Sequence, residues 1–183
     1  MTITTYDNLK TTIIDFSHRS DLDLKIDTFI QMAEQDMFAN PDEILRVRGQ
    51  DTRLETTTSG QFLALPADFQ SMRSVQLVTG NGDCELTYQA PAQMRQQPDT
   101  GQPQFFTVTS QIEFERVPDS NYNVVLQYYA IPTPLSSSNQ TNAILDTFPN
   151  IYLFGCLAAL YNYANDTEVA ATNYATFIRT IKR

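Results

Sequence analysis

Residues 148–164 read FPNIYLFGCLAALYNYA, an apolar run without a single charged side chain. Pro149 suits the first position of a helix, where its missing N–H costs nothing. A helix that is apolar on every side is normally enclosed on every side. The run is shorter than the roughly 20 residues that span a bilayer, and Gly155 interrupts it. The segment therefore belongs at the centre of a bundle, and the rest of the chain, or in part a neighbouring subunit, must supply its walls.

Candidates for those walls lie at both ends of the chain. Tyr6, Leu9, Ile13 and Phe16 recur at helical spacing behind a Thr4 or Thr5 cap. After the break HRSDL, with Ser20 or Asp21 as the next cap, Leu22, Ile26, Phe29, Ile30, Ala33 and Met37 form an apolar stripe. Asp23, Asp27 and Glu34 are read as lying off it. Pro41 ends this segment by biasing Asn40 away from helical geometry. After residue 164, Asp166 or Thr167 caps a last helix on which Ala170, Tyr174, Phe177, Ile178 and Ile181 share a face.

Between these ends the period changes. QFLAL, RSVQLVTGNGDCELTY, QFFTVTSQIEFERVP and NYNVVLQYYAIP are short runs rich in aromatic and β-branched residues, divided by turn residues. Asn81-Gly82 marks one hairpin turn and Ser110-Gln111 another. APAQMRQQPDTGQP is a loop with one helical turn after Pro91, and LSSSNQTNA is a polar loop. The expected fold class is α+β: a helical bundle from the N- and C-terminal helices (1–40 and 143–183) around an inserted antiparallel β-rich module (41–142). At 183 residues such a chain can bury about 70% of its unfolded surface, enough for a core without staples.

The chemistry-bearing residues are sparse. His18, the one histidine, falls at a helix boundary, where capping is the expected role. With it alone and two cysteines far apart, Cys84 and Cys156, no zinc set forms, and both thiols are expected to be free. GNGD lacks the Lys-Ser/Thr of a phosphate loop. No acid, base and nucleophile assemble into a catalytic set, so neither enzyme activity nor a cofactor is expected. The net charge of −9 argues against a dedicated nucleic-acid binder. The N-terminus carries no secretion signal pattern, so synthesis in a cytoplasm, without membrane association, is expected. The basic residues form two groups, Arg46 and Arg48 (with Arg53) in RVRGQDTR, and Arg179, Lys182 and Arg183 at the end. The second group either offsets a helix dipole or docks on an acidic partner. Tyr128 and Tyr129 in QYYAIP are read as strand-core or interface tyrosines.

Several segments, in order, resemble the head-to-tail adaptor (connector) proteins of tailed bacteriophages, the short-tailed (podovirus) type. TTYDNLKTTIIDFSHRSDL is similar to the family's opening helix and break, and FIQMAEQDM to its second helix. ALPADFQSMRSVQL resembles the entry to its β region. The stretch from QPQFFTV to NQTNAIL resembles the pattern P-x-x-F-T-V…PD-x-x-Y…L-x-Y-Y…P-x-L, and FPNIYLFGCLAALYNYAND a late helix. One departure is the chain's end at Arg183, where some adaptors carry a longer arm reaching into the portal. The resemblance implies a virion protein of the head–tail interface, twelve copies forming a ring. Its partners would be the portal above, a nozzle or tail tube below, and tail fibres. DNA would pass through the lumen without being held. Candidate partner contacts are then Arg46, Arg48, Arg179, Lys182, Arg183, Tyr128 and Tyr129. The aromatic QFFTV and QYYAIP also motivate an alternative, a tail-associated receptor or carbohydrate-binding β module. On the adaptor reading, residues 93–104 and 132–142 are expected to act as contact arms or to order on assembly, losing flexibility in the complex.

Overall fold

The computed structural model describes residues 2–39, 45–58, 60–80 and 82–182. Helices from both ends of the chain form one unit, residues 1–49 with 132–183, and a β-rich insertion, residues 50–131, forms the other. Both divisions fall inside the stretch 41–142 that the sequence pattern assigns to the insertion. The flanking segments are tied to the helical unit, Leu45 N–H to the Met37 carbonyl (3.0 Å) and Leu135 N–H to Glu34 (2.9 Å).

Helix α1, Tyr6–Ser17, is capped by Thr5, whose hydroxyl accepts from Asn8 N–H. It stops at His18, which takes a left-handed φ of 53° and donates its N–H to the Ile14 carbonyl. Tyr6, Leu9 and Ile13 are buried as their spacing predicts. Phe16 is not: it lies in the last turn, where no neighbour covers it, and is 59% exposed. A 3₁₀ segment, Ser20–Lys25, follows without a side-chain cap. The expectation that Ser20 or Asp21 caps here fails because Asp21 is taken by the Arg19 guanidinium, at 2.7 and 2.8 Å. Helix α2, Ile26–Ala39, presents Ile26, Phe29, Ile30, Ala33 and Met37 inward, and Leu22 ahead of it is buried too. The cap residues Asn40 and Pro41 lie outside the described residues.

Helix α4, Pro149–Tyr163, is the centre of this unit, and α1, α2, the short α3 (Ala143–Thr147) and α5 (Thr167–Ile181) all pack on it. Ile151, Tyr152, Leu153, Cys156, Leu157 and Leu160 are buried. It ends in a Schellman pattern: Asn165 adopts a φ of 61°, its N–H meets the Asn162 carbonyl, and Asp166 N–H meets that of Tyr161. Asp166 then caps α5 by accepting from Val169 N–H. Helix α3 is not marked by the sequence pattern, which ends the polar loop at Ala143 and assigns no element to residues 144–147. Asn142 nucleates it by accepting from both Ile144 and Leu145 N–H.

Gly155 explains how three helices come so close. A β-carbon there would sit 2.9 Å from Ala33 Cβ and 3.0 Å from the Phe177 ring, so α4 is squeezed between α2 and α5 at this point.

One carboxylate lies inside this apolar bundle. Glu34, read from sequence as off the stripe, is 7% exposed. Its Oε1 accepts from Leu135 N–H at 2.9 Å and from the Tyr152 hydroxyl at 3.0 Å. Tyr152 in turn accepts from Asn142 Nδ2 at 2.7 Å. The chain of bonds links α2, α4, the cap of α3 and the segment 132–142. That segment, expected to order on assembly, is thus already fixed here; Leu135 is buried and the Gln140 carbonyl accepts from Tyr6 N–H. Burial raises the Glu34 carboxyl above its usual range, against the pull of its two donors. Burial and the Glu34 charge push both the Tyr152 hydroxyl and the Cys156 thiol up.

The insertion holds two four-stranded sheets. One has the order β1 (Asp51–Thr58), β8 (Tyr122–Ala130), β3 (Phe69–Thr79), β4 (Gly82–Glu85), antiparallel throughout. The other has the order β2 (Phe62–Ala64), β7 (Gln111–Phe114), β6 (Phe105–Val108), β5 (Thr87–Tyr88), with β5 and β6 parallel. Val75, Leu77, Phe106, Ile112, Phe114, Val124, Leu126 and Tyr128 make one core from both sheets. On β8 the alternation of Val124, Leu126, Tyr128 and Ala130 has the period of two expected of a strand with one face inward. The hairpins β3–β4 and β6–β7 lie where turn chemistry predicts; Asn81 is outside the described residues, and Gly82 has a φ of 118°.

Two outcomes follow from the helical unit. Gly155→Ala is expected to destabilise the chain by about 1–3 kcal/mol, because overpacking against Ala33 and a locked Phe177 outweighs alanine's helix propensity. A lower urea midpoint at unchanged slope is the readout. Glu34 binds its proton more tightly folded than unfolded. Its stabilising effect is complete below the unfolded carboxylate range and is lost as pH climbs through the raised value. Glu34→Gln keeps an acceptor and should remove that decline, whereas Glu34→Ala should cost about 1–3 kcal/mol by orphaning the Leu135 and Tyr152 donors. Denaturation midpoints compared from mildly acidic to neutral pH separate the two.

Candidate functional site

The segment after α2 builds a surface that the bundle itself does not need. Gly49 lies against α3, where a β-carbon would be 2.9 Å from Ala143 Cβ. This close approach and the burial of Leu45 hold residues 45–49 along the start of α4. Between this segment, the α3–α4 junction and the last turn of α5 runs an open groove of about 580 Å³. Its floor is apolar: Leu45, Val47, Phe148, Ile151 and Ile181. Phe148 remains 39% exposed there.

The rim is basic. Arg46 and Arg48 line the groove and are exposed. Thr180 and Ile181 line the opposite side, bracketed in sequence by the exposed Arg179 and Lys182. The two basic groups that are far apart in sequence thus converge on one end of the helical unit. Arg46, Arg48 and Arg179 make no ion pair among the described residues. Other arginines do pair: Arg53 with Glu55, Arg73 with Asp51, and Arg116 with Asp99 and Glu115. Arg183 lies outside the described residues.

Tyr128 and Tyr129 belong to the other unit. Tyr128 is buried, its ring 5.9 Å from that of Phe69. Its hydroxyl donates to Asp68 at 2.9 Å, and burial with that carboxylate pushes it up to about 12. It is core, not contact surface. Tyr129 is half-buried beneath the Arg73 guanidinium. The aromatics behind the carbohydrate-binding alternative are largely absorbed in the same way, Phe106 and Tyr128 being fully in the core.

Sequence reasoning passed over a second feature. Leu24, within the acidic run DLDLK, is 95% exposed. The signal was present: Leu24 is two residues from both Leu22 and Ile26, off the stripe that buries them. Beside it, Asp23 is exposed and Lys25 is drawn back over the Tyr163 ring, its ammonium 5.4 Å from the centroid. Among the described residues, no cluster of His, Cys, Asp or Glu is placed to hold a metal ion, and no helix is long and apolar enough to cross a membrane.

A family model described as SU10 adaptor protein matches residues 4–183. No curated protein matches the chain significantly.

Because Arg46 and Arg48 make no ion pair among the described residues, Arg46→Glu and Arg48→Glu together should leave stability within about 0.5 kcal/mol of the parent. Superimposable chemical denaturation curves check this, and a large loss would mean that the rim belongs to the folded core.

Proposed function

The chain belongs to the SU10 adaptor protein family, a family of phage head–tail adaptors, and we propose that it forms a ring, of twelve copies, between the portal and the nozzle or tail tube. The observation that carries this reading is the extent of the match: residues 4–183 take in the helical unit and the β unit alike, so the family assignment does not rest on one of them alone. The protein is a structural component of the virion, acting by holding parts together and not by catalysis.

Two properties of the chain support the reading. An adaptor needs separate surfaces for neighbours, portal and tail, and an insertion with its own core provides a body distinct from the helical bundle. A lumen that lets DNA slide must also avoid gripping phosphates. Grip comes from lysine and arginine, and this chain has 12 of them against 21 acidic residues.

The test is the mass of portal rings from the same phage, with and without the chain, by native mass spectrometry. Addition of about twelve copies per portal ring is the expected result, a closed ring being the ordinary product of repeated head-to-tail contacts. Folded chain that adds no mass to the rings would overturn the placement at the portal.

A further inference from the structure

The groove and the exposed leucine lie at opposite ends of one helix pair. Helices α2 and α4 run antiparallel: Phe29 meets Tyr163, Ala33 lies opposite Gly155, and Glu34 bonds Tyr152. Leu24 precedes the start of α2 and so lies beside the end of α4, where Lys25 reaches Tyr163. The groove takes in Phe148 and Ile151 at the start of α4. A helix of 15 residues is about 22 Å long, so the two features are separated by roughly the length of the bundle.

Their chemistries are complementary. The groove offers an apolar floor, and Arg46 and Arg48 on its rim make no ion pair among the described residues. The knob offers an isolated leucine, 95% exposed, with Asp23 beside it. Asp21 is held by Arg19 and Asp27 by Lys10, so Asp23 is the carboxylate of this run that has no ion-pair partner among the described residues. Lys25, the one cation in the run, is turned back on Tyr163 and does not cancel it. An exposed leucine of this kind contributes nothing to the fold that presents it.

Resting on the adaptor reading, we propose that the occupant of the groove is the knob of a second copy: Leu24 enters the apolar floor at Phe148 and Ile151, and Asp23 meets Arg46 and Arg48. The contact is heterologous, since the donor and acceptor patches differ and sit at opposite ends of the subunit. Repeated, such contacts make a ring when the rotation closes and a filament when it does not. The leucine is the anchor and the charge pair sets its register, so replacing the leucine with a charged residue, or reversing one side of the charge pair, is expected to weaken self-association at least tenfold, whereas the small apolar cysteine still enters the floor.

The experiment uses the 183-residue chain carrying Cys84→Ser, which leaves only the buried Cys156 thiol. Leu24→Cys is placed in one preparation and Thr147→Cys, on the groove wall, in another. Each is oxidised in air alone and mixed, free in solution and in the presence of portal rings. A disulfide-linked heterodimer in the mixture, well above the homodimers, is expected. It should disappear with Arg46→Glu/Arg48→Glu on the groove partner and return when Asp23→Lys is added to the knob partner. A second arm needs no cysteine. Leu24→Asp chains and Arg46→Glu/Arg48→Glu chains should each fail to self-associate, and their mixture should stop at a dimer with one intact contact. Copies that assemble on portal rings without forming the Leu24–Thr147 cross-link would overturn this contact and leave the adaptor reading standing. The cross-link in solution with no addition to portal rings would support the contact and sink the placement at the portal. Neither assembly nor cross-link would refute both.

Discussion

The structure depends on the enclosure of α4. A helix with no polar face has no direction to offer water, so it is stable only where other elements surround it. The helices that do so, α1 and α2 on one side of the sequence and α3 and α5 on the other, are separated by the β insertion. The two ends of the chain must therefore come together before the central helix has a wall. That requirement makes the β-rich stretch an insertion with a core of its own, because none of its apolar residues is needed around α4. Gly155 sets how tightly the enclosure closes, since at that level α2 and α5 both meet bare backbone.

Enclosure by apolar contact alone does not set the position of one helix along another, because burial rewards area and has no direction. Hydrogen bonds do have direction. The Leu135–Glu34–Tyr152–Asn142 chain is therefore the register device of the bundle. It works because its site is dry: leaving any one of these groups unpaired there carries a desolvation penalty, whereas on the surface water would replace the partner. It also explains why residues 132–142, polar and proline-bounded, are fixed to the bundle. Their backbone supplies a donor that the buried carboxylate needs.

What the sequence made legible was whatever repeats. The stripe of α2, the alternation of β8 and the uniform apolarity of α4 each rest on several residues saying the same thing. What stayed hidden rests on single residues. Glu34 is buried because two donors from distant segments converge on it, and no local pattern marks that. Helix α3 is one turn nucleated by a single Asn142 side chain, too short to show a period. Phe16 has the right angular position on α1 but sits beyond the reach of the helices that cover its predecessors. The groove is tertiary in origin, since Arg46 and Arg48 join the end of α5 across about 130 residues of chain only once the bundle has closed. Leu24 is the exception, because its break from the stripe could have been read directly.

Charge gives these surface residues their meaning. A chain with 21 acidic and 12 basic residues has carboxylates to spare, so an arginine that the fold wanted paired would find a partner easily. Arg53, Arg73 and Arg116 do so, and among the described residues Arg46, Arg48 and Arg179 do not. Copies of a chain with a net charge of −9 repel one another at long range, but the screening length of about 8 Å at physiological ionic strength confines that repulsion to near contact. Within that distance the local charges decide. An acidic subunit can therefore stand beside its own copies only where it keeps an island of positive charge facing them. An island that also surrounds an apolar floor selects a partner segment that is acidic and apolar at once. Unpaired arginine on an acidic protein is thus better read as one half of an interaction whose other half is carried by a different molecule.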